Sequence, residues 1–138
     1  MYFFENEEFD VILLAGQSNA EGSGVGEVES EYQEDERILM MLDTYPVGNK
    51  PDKEGNIYLD AKIPTEYRIE IAREEVNAKN AKIGNFALQF AESYVRNCLK
   101  INRKVLIIKA AVGGTGFCKN QWTVDGILYK RADRKSVV

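Results

Sequence analysis

The stretch VILLAGQSNAEGSG, residues 11–24, decides how the fold begins, because an apolar run stops abruptly at a glycine and a serine follows two residues later. The whole run, residues 9–15, is typical of a strand buried on both faces of a parallel sheet. Ser18 can be a nucleophile displayed on a sharp turn or the N-cap of a helix. The spacing alone favours neither hypothesis, since G-x-S-x-A is not a full G-x-S-x-G elbow.

The rest of the chain supplies the elements of an α/β domain. Residues 37–43 form a second short apolar run, and residues 104–112 form a third that again stops at glycines. Residues 81–99 are predicted as a helix with Asn85 at its N-cap. Apolar residues recur there at spacings of three and four, which predicts one buried stripe: Phe86, Phe90, Ala91, Tyr94 and Cys98. The order strand, excursion, helix, strand predicts a right-handed crossover and a parallel sheet.

Two connecting segments and the tail complete the domain. Residues 19–30 are predicted as an exposed loop with a short helix at its start, and residues 44–66, with three prolines, as a long irregular excursion. Residues 126–132 resemble the opening of an amphipathic helix that ends after little more than a turn. A sheet of only three strands leaves a bare edge, through which copies can associate. We therefore expect residues 1–138 to be a single domain, incomplete at its C-terminus.

Composition excludes several classes of partner. The net charge of -4 argues against nucleic acid, which requires a concentrated basic face. No apolar stretch approaches the ~20 residues of a membrane span, and the acidic N-terminus does not resemble a secretory signal. Cys98 and Cys118 do not form a disulfide framework and are expected as free thiols. These features predict a cytoplasmic protein, although a longer parent protein could be exported. No metal or organic cofactor is implied.

The ends of the predicted strands are where a ligand is expected. In open α/β sheets, ligands bind beyond the carboxyl ends of the strands. Ser18 follows the first predicted strand, and Gly113 and Gly114 follow the last. Glycines there let backbone N–H groups approach a ligand oxygen, as in an oxyanion hole. The chain lacks a phosphate-binding G-x-x-x-x-G-K-[ST] motif and a dinucleotide-binding G-x-G-x-x-G motif.

Two blocks carry a family resemblance. VILLAGQSNAEG, followed about a hundred residues later by VLIIKAAVGGTGF, resembles the SGNH hydrolase superfamily and, more narrowly, the sialate O-acetylesterase-like carbohydrate esterases. IGNFALQFAESYV between the blocks and W…G…LY after them extend the similarity over most of the chain. The resemblance implies a three-layer, flavodoxin-like parallel sheet and a serine esterase that hydrolyses acetyl esters on sugars of the sialic acid or xylan type.

The resemblance also implies roles for individual residues. Ser18 corresponds to the nucleophile, and its N–H, with that of Gly113 or Gly114, corresponds to the oxyanion hole. The residues that shape the turn would be Gly16, Gln17 and Asn19. Thr115 and Trp122 are candidates for the substrate pocket, and packing in the core explains Trp122 equally well. Ala20 stands where the family usually has methionine, a change that we expect to alter packing and not chemistry.

The missing histidine limits what this chain can do. The family has a Q-G-E-like block and a late D-x-x-H, and neither is present; Gln121 and Asp125 do not reproduce them. An unassisted serine is a poor nucleophile, and loss of a triad histidine costs ~10⁶ in kcat. Lys109 and Glu21 are conceivable substitutes, although Lys109 is better explained as covering apolar surface and Glu21 as facing water. We expect the chain alone to be nearly inert and the base to come from sequence beyond Val138.

Two alternatives to an esterase remain open at this stage. A non-catalytic module could bind acetylated sugars without turnover, in which case Ser18→Ala would leave the affinity unchanged. A purely structural α/β fragment would use Ser18 only as a helix cap, in which case the same substitution would cost about 1 kcal/mol of stability.

Overall fold

The computed structural model describes residues 4, 6–22, 24, 32–43, 67–74 and 84–136. The predicted excursion over residues 44–66 and most of the loop over residues 19–30 lie outside the described residues. The chain has α/β character. Its elements follow the order β1 (Glu8–Gly16), α1 (Ser18–Glu21), β2 (Ile38–Asp43), β3 (Tyr67–Ile71), α2 (Ala87–Asn97), β4 (Arg103–Ala111) and α3 (Ile127–Ser136).

The sheet has four described strands in the order β1-β4-β2-β3. β4 runs parallel to both β1 and β2, as the crossover pattern predicts. β3 pairs antiparallel with β2, so the prediction of an entirely parallel sheet of three strands is wrong. The alternation of apolar and polar residues in YRIEI is the sequence signal for β3. Ile69 and Ile71 pack on the core, whereas Arg68 on the same strand is exposed. The three-layer arrangement stays a prediction.

β4 is a buried inner strand of this sheet, whereas β1 is only partly buried. Every residue from Val105 to Ile108 is buried, which is expected of a strand covered on both faces. In β1 the side chains alternate instead: Leu14 is 4% exposed, but Val11 and Leu13 are 55% and 48% exposed. The prediction that this first run is buried on both faces is therefore wrong. Within the described residues, β1 pairs only with β4 and lies at the edge of the sheet.

α2 packs on the sheet through small side chains. Its buried residues are Ala87, Leu88, Ala91 and Val95. The predicted stripe is confirmed at Ala91, which is buried, and at Tyr94, which packs against the core. It is wrong at Phe86 and Phe90, which are more than half exposed, and at Cys98, which is exposed. Alanines let the helix backbone approach the sheet closely, which leaves the bulky rings at the flank.

The start of α2 and the end of α3 differ from the predictions. α2 begins at Ala87 with Phe86 at its N-cap position, so the predicted N-cap is one residue too early. Asn85 still contributes at this end, because its Oδ1 accepts the N–H of Ala87 at 2.9 Å. α3 extends over ten residues instead of little more than one turn. Leu128 and Ala132, four residues apart, are both buried, and this burial accounts for the longer helix.

A polar cluster joins the first residues of β1 and β4 to α2. Asp10 on β1 accepts hydrogen bonds from the Tyr94 hydroxyl at 2.8 Å and from Nε of Arg103 at 2.6 Å. These two hydrogen bonds, that from Tyr94 first, hold the pKa of Asp10 below its usual 3.8. The cluster joins α2, β1 and β4 and so fixes the register on which the opposite end of the sheet depends.

Candidate active site

The two glycine-containing blocks meet at the carboxyl ends of β1 and β4. Gly16, the last residue of β1, is in register with Ala111, the last residue of β4. Beyond that pair, the N–H of Val112 donates to the carbonyl oxygen of Gly16 at 3.1 Å. The segments that start at Gln17 and at Gly113 therefore leave the sheet side by side, where α/β sheets commonly bind ligands.

The turn from β1 into α1 depends on glycine. Gly16 has φ 146°, a value that other residues rarely adopt, and a Cβ there would lie 3.2 Å from the Cβ of buried Ala20. Gln17 occupies the N-cap position of α1 and makes no capping hydrogen bond through its side chain. Ser18 is the first helical residue, and Gln17 holds the N-cap position. The hypothesis that Ser18 serves only as a helix cap is therefore not supported by its position.

A carboxylate from α1 packs against the end of β4. A Cβ on Gly113 would lie only 2.6 Å from Oε2 of Glu21. The expectation that Glu21 faces water is therefore wrong: its side chain reaches back over the backbone at Gly113. Gly114 differs, because it is exposed, has φ 76°, and a Cβ there would meet nothing within 4 Å.

A cleft of about 310 Å³ opens beside this turn. Its walls come from the end of β1 and from the loop after β4, and none of the seven lining residues is charged: Ala15, Gly16, Gln17, Thr115, Gly116, Phe117 and Trp122. Ligand-binding pockets typically occupy about 300–1,000 Å³ and combine apolar walls with a few polar groups. This cleft lies at the small end of that range.

Hydrogen bonds within the loop hold the far wall in place. The Thr115 hydroxyl donates to the carbonyl oxygen of Val112 at 2.6 Å and accepts from Nε1 of Trp122 at 2.9 Å. Gly116 donates its N–H to Oε1 of Gln121 at 2.9 Å, and Gln121 is only 4% exposed. Buried polar groups that are hydrogen-bonded in this way fix the backbone around them.

The predicted site residues fall into two groups. Gly16, Gln17, Thr115 and Trp122 all line the cleft. Ser18 follows directly on the lining residue Gln17 and is half-buried, but it is not itself among the lining residues. Gly113 and Gly114 lead from β4 to the opposite wall, and Asn19 is exposed on α1.

Four residues that build the cleft are not among the predicted site residues. Ala15, Gly116 and Phe117 line it, and Gln121 braces it from behind. The signal for Phe117 was available, since the aromatic residue follows a run of glycines and small residues that cannot bury it locally. Gln121 does not stand in a Q-G-E arrangement, and in the structure its Oε1 accepts the N–H of Gly116. Asp125, considered alongside it, has a 98% exposed side chain.

A family model for "Carbohydrate esterase, sialic acid-specific acetylesterase" matches residues 8–136. That match spans nearly the whole chain, from the first residue of β1 to the last of α3. The chain belongs to this carbohydrate esterase family. A search of curated proteins finds no match for it.

Membership of the carbohydrate esterase family confirms the resemblance read from the two blocks. It makes an acetyl ester of a carbohydrate, or a related small molecule, the class of substrate that the family points to. No helix within the described ranges is long and apolar enough to cross a membrane.

Proposed function

We propose that this chain carries the nucleophile and the oxyanion donors of an esterase that removes O-acetyl groups from carbohydrates. The observation that carries the proposal is the juxtaposition, in a member of a carbohydrate esterase family, of the glycine-dependent turn at Ser18 with the glycines after β4 and a neutral cleft. A serine at such a strand-to-helix turn is displayed as in a nucleophile elbow.

The reaction would proceed through an acetylated serine. The hydroxyl oxygen of Ser18 attacks the carbonyl carbon of the acetyl group while its proton passes to a base. The carbonyl oxygen becomes an oxyanion, and the bond from the carbon to the sugar oxygen then breaks as that oxygen takes a proton. Water attacks the acetyl-serine in a second step and releases acetate.

Gly114 is the better second donor for the oxyanion. The carboxylate of Glu21 packs on Gly113, and a negative charge beside a developing oxyanion would oppose its formation. Gly114 is exposed, has a left-handed φ of 76°, and has no group within 4 Å of the position of a Cβ. The N–H groups of Ser18 and Gly114 therefore make the pair that we assign to the oxyanion hole, where loss of one donor typically costs about 10²–10³ in rate.

The base is not a histidine of these 138 residues, because the chain contains none. Lys109 is half-buried within β4, consistent with a stem that covers apolar surface. Glu21 is committed to packing at Gly113. The chain by itself should therefore acylate slowly and deacylate more slowly still, so that an acetyl-enzyme accumulates.

Acetylation by p-nitrophenyl acetate, with and without imidazole as an external base, tests the proposal. The position of the acetyl group is read by peptide mass spectrometry. We expect acetyl on Ser18 that forms faster with imidazole, is absent from Ser18→Ala, and is unchanged in Ser93→Ala, which alters an exposed serine of α2. Labelling of Ser18 no faster than that of Ser93 would refute a nucleophilic role.

The absence of histidine supports one second candidate, a module that binds acetylated carbohydrates without cleaving them. The acetylation and binding experiments distinguish the esterase from the binding module. A binding module predicts no acetyl-serine, and it predicts that Ser18→Ala binds an acetylated sugar as well as the unaltered chain does.

A further inference from the structure

Phe117 is an exposed aromatic residue on a loop that is otherwise held tightly. Its side chain is 73% exposed, although Thr115 and Gln121 nearby are 8% and 4% exposed. A single exposed ring is ordinary on a protein surface. This one lines the cleft, and it shares the wall with Trp122.

The backbone under Phe117 is fixed from both sides. Gly116 is bound through its N–H to the side chain of Gln121, and the carbonyl oxygen of Phe117 accepts the N–H of Asn120 at 2.9 Å. Trp122 is held in turn by its indole N–H, which donates to Thr115. The two rings are therefore presented by a preorganised loop, which reduces the entropy lost on binding.

We infer that Phe117 and Trp122 form an aromatic platform that binds the apolar face of the sugar ring bearing the acetyl group; this inference rests on the proposed function. A pyranose ring has C–H groups on its faces and hydroxyl groups around its rim. The cleft matches that pattern, since two aromatic side chains supply apolar area and exposed Gln17 supplies an amide at the edge. At about 310 Å³, the space suits one sugar residue with its acetyl group.

The platform makes Phe117 a specificity-determining residue rather than a catalytic one. It contributes to binding of the ring and not to binding of the acetyl group. Esters that lack a ring should therefore bind equally well with or without the Phe117 side chain, whereas acetylated sugars should not.

Titration of the fluorescence of Trp122 tests the inference, because Trp122 is the single tryptophan of the chain and lines the cleft. The probes are an O-acetylated methyl pyranoside and glycerol triacetate, which carries acetyl esters without a ring. Four variants are compared with the unaltered chain. Phe117→Ala and Phe117→Leu remove the ring face, Phe117→Tyr keeps it, and Phe90→Ala removes a comparably exposed ring from α2.

We expect Phe117→Ala and Phe117→Leu to raise the Kd of the pyranoside about tenfold and to leave that of glycerol triacetate unchanged. Phe117→Tyr and Phe90→Ala should bind both probes normally. Unchanged pyranoside binding in Phe117→Ala and Phe117→Leu overturns the platform and leaves the esterase proposal standing. If neither probe changes the Trp122 fluorescence of the unaltered chain, the platform is overturned, and the acetylation of Ser18 decides the esterase proposal by itself.

Discussion

Replacement of Gly113 by alanine probes the packing of α1 on the end of β4. The new Cβ would lie 2.6 Å from Oε2 of Glu21, whereas ordinary contacts begin at 3.4 Å, so the carboxylate must move by about 0.8 Å. Gly113 is not among the glycines with positive φ, so alanine is not strained by the backbone there. Overpacking costs about 1–3 kcal/mol of stability. Because the end of a glutamate side chain is flexible, we expect Gly113→Ala to cost about 1 kcal/mol, at the low end of that range.

When Glu21 is replaced by alanine, the destabilisation caused by Gly113→Ala should disappear or turn into a stabilisation. In a Glu21→Ala background the space is open, and Gly113→Ala should be neutral or stabilise by about 0.5 kcal/mol, because alanine restricts the unfolded chain. The interaction energy of the double-mutant cycle should therefore be about 1–1.5 kcal/mol. Glu21→Gln, which keeps the shape and removes the charge, should preserve most of this coupling.

Urea unfolding followed by far-UV circular dichroism measures the four free energies of the cycle. Gly116→Ala is the matched control, since a Cβ there meets nothing within 4 Å and its φ of -172° suits any residue. Additive effects of Gly113→Ala and Glu21→Ala would refute the contact. Coupling that vanishes with Glu21→Gln would show that charge, and not volume, is responsible.

Two further predictions concern Asp10 on β1 and Gly126 in the loop before α3. Because Tyr94 and Arg103 lower the pKa of Asp10, its carboxylate stabilises the fold above about pH 3.8, and this stabilisation is lost as the pH falls through the lowered pKa. Asp10→Asn should therefore lower Tm at pH 7 and flatten the acid limb of the Tm–pH curve; equal acid limbs would contradict this. Gly126→Ala would place a Cβ 2.5 Å from two backbone carbonyl oxygens and should cost about 3 kcal/mol in urea unfolding, whereas stability equal to that of Gly116→Ala would contradict the loop geometry.

The proposed site divides its work between two kinds of residue. In the proposed mechanism, the turn at Gly16 and the glycines after β4 supply the backbone N–H groups that bind the oxyanion. The braced loop from Thr115 to Trp122 builds the wall of the cleft. Neither part requires a charged side chain in the cleft. A chain that lacks histidine can therefore retain binding geometry even where turnover is slow, which is why acetylation and ligand binding are measured separately.

Local sequence determined the position of most elements and of both glycine blocks. Three apolar runs ending in polar or glycine residues predicted β1, β2 and β4, and helical periodicity predicted α2, because burial imposes a period that is visible within ten to fifteen residues. The family resemblance lay in the same local blocks, GQSN and VGGTG.

Only the tertiary structure decided which faces are buried and what meets at the site. The sequence could not place Phe86 and Phe90 outside the core, nor leave Val11 and Leu13 half exposed, since both depend on what the rest of the chain lays against them. The contact of Glu21 with Gly113 joins residues 92 positions apart, and the cleft joins the end of β1 to the loop after β4. Periodicity reports that one side of an element is apolar; the partner that covers that side is set by contacts distant along the chain.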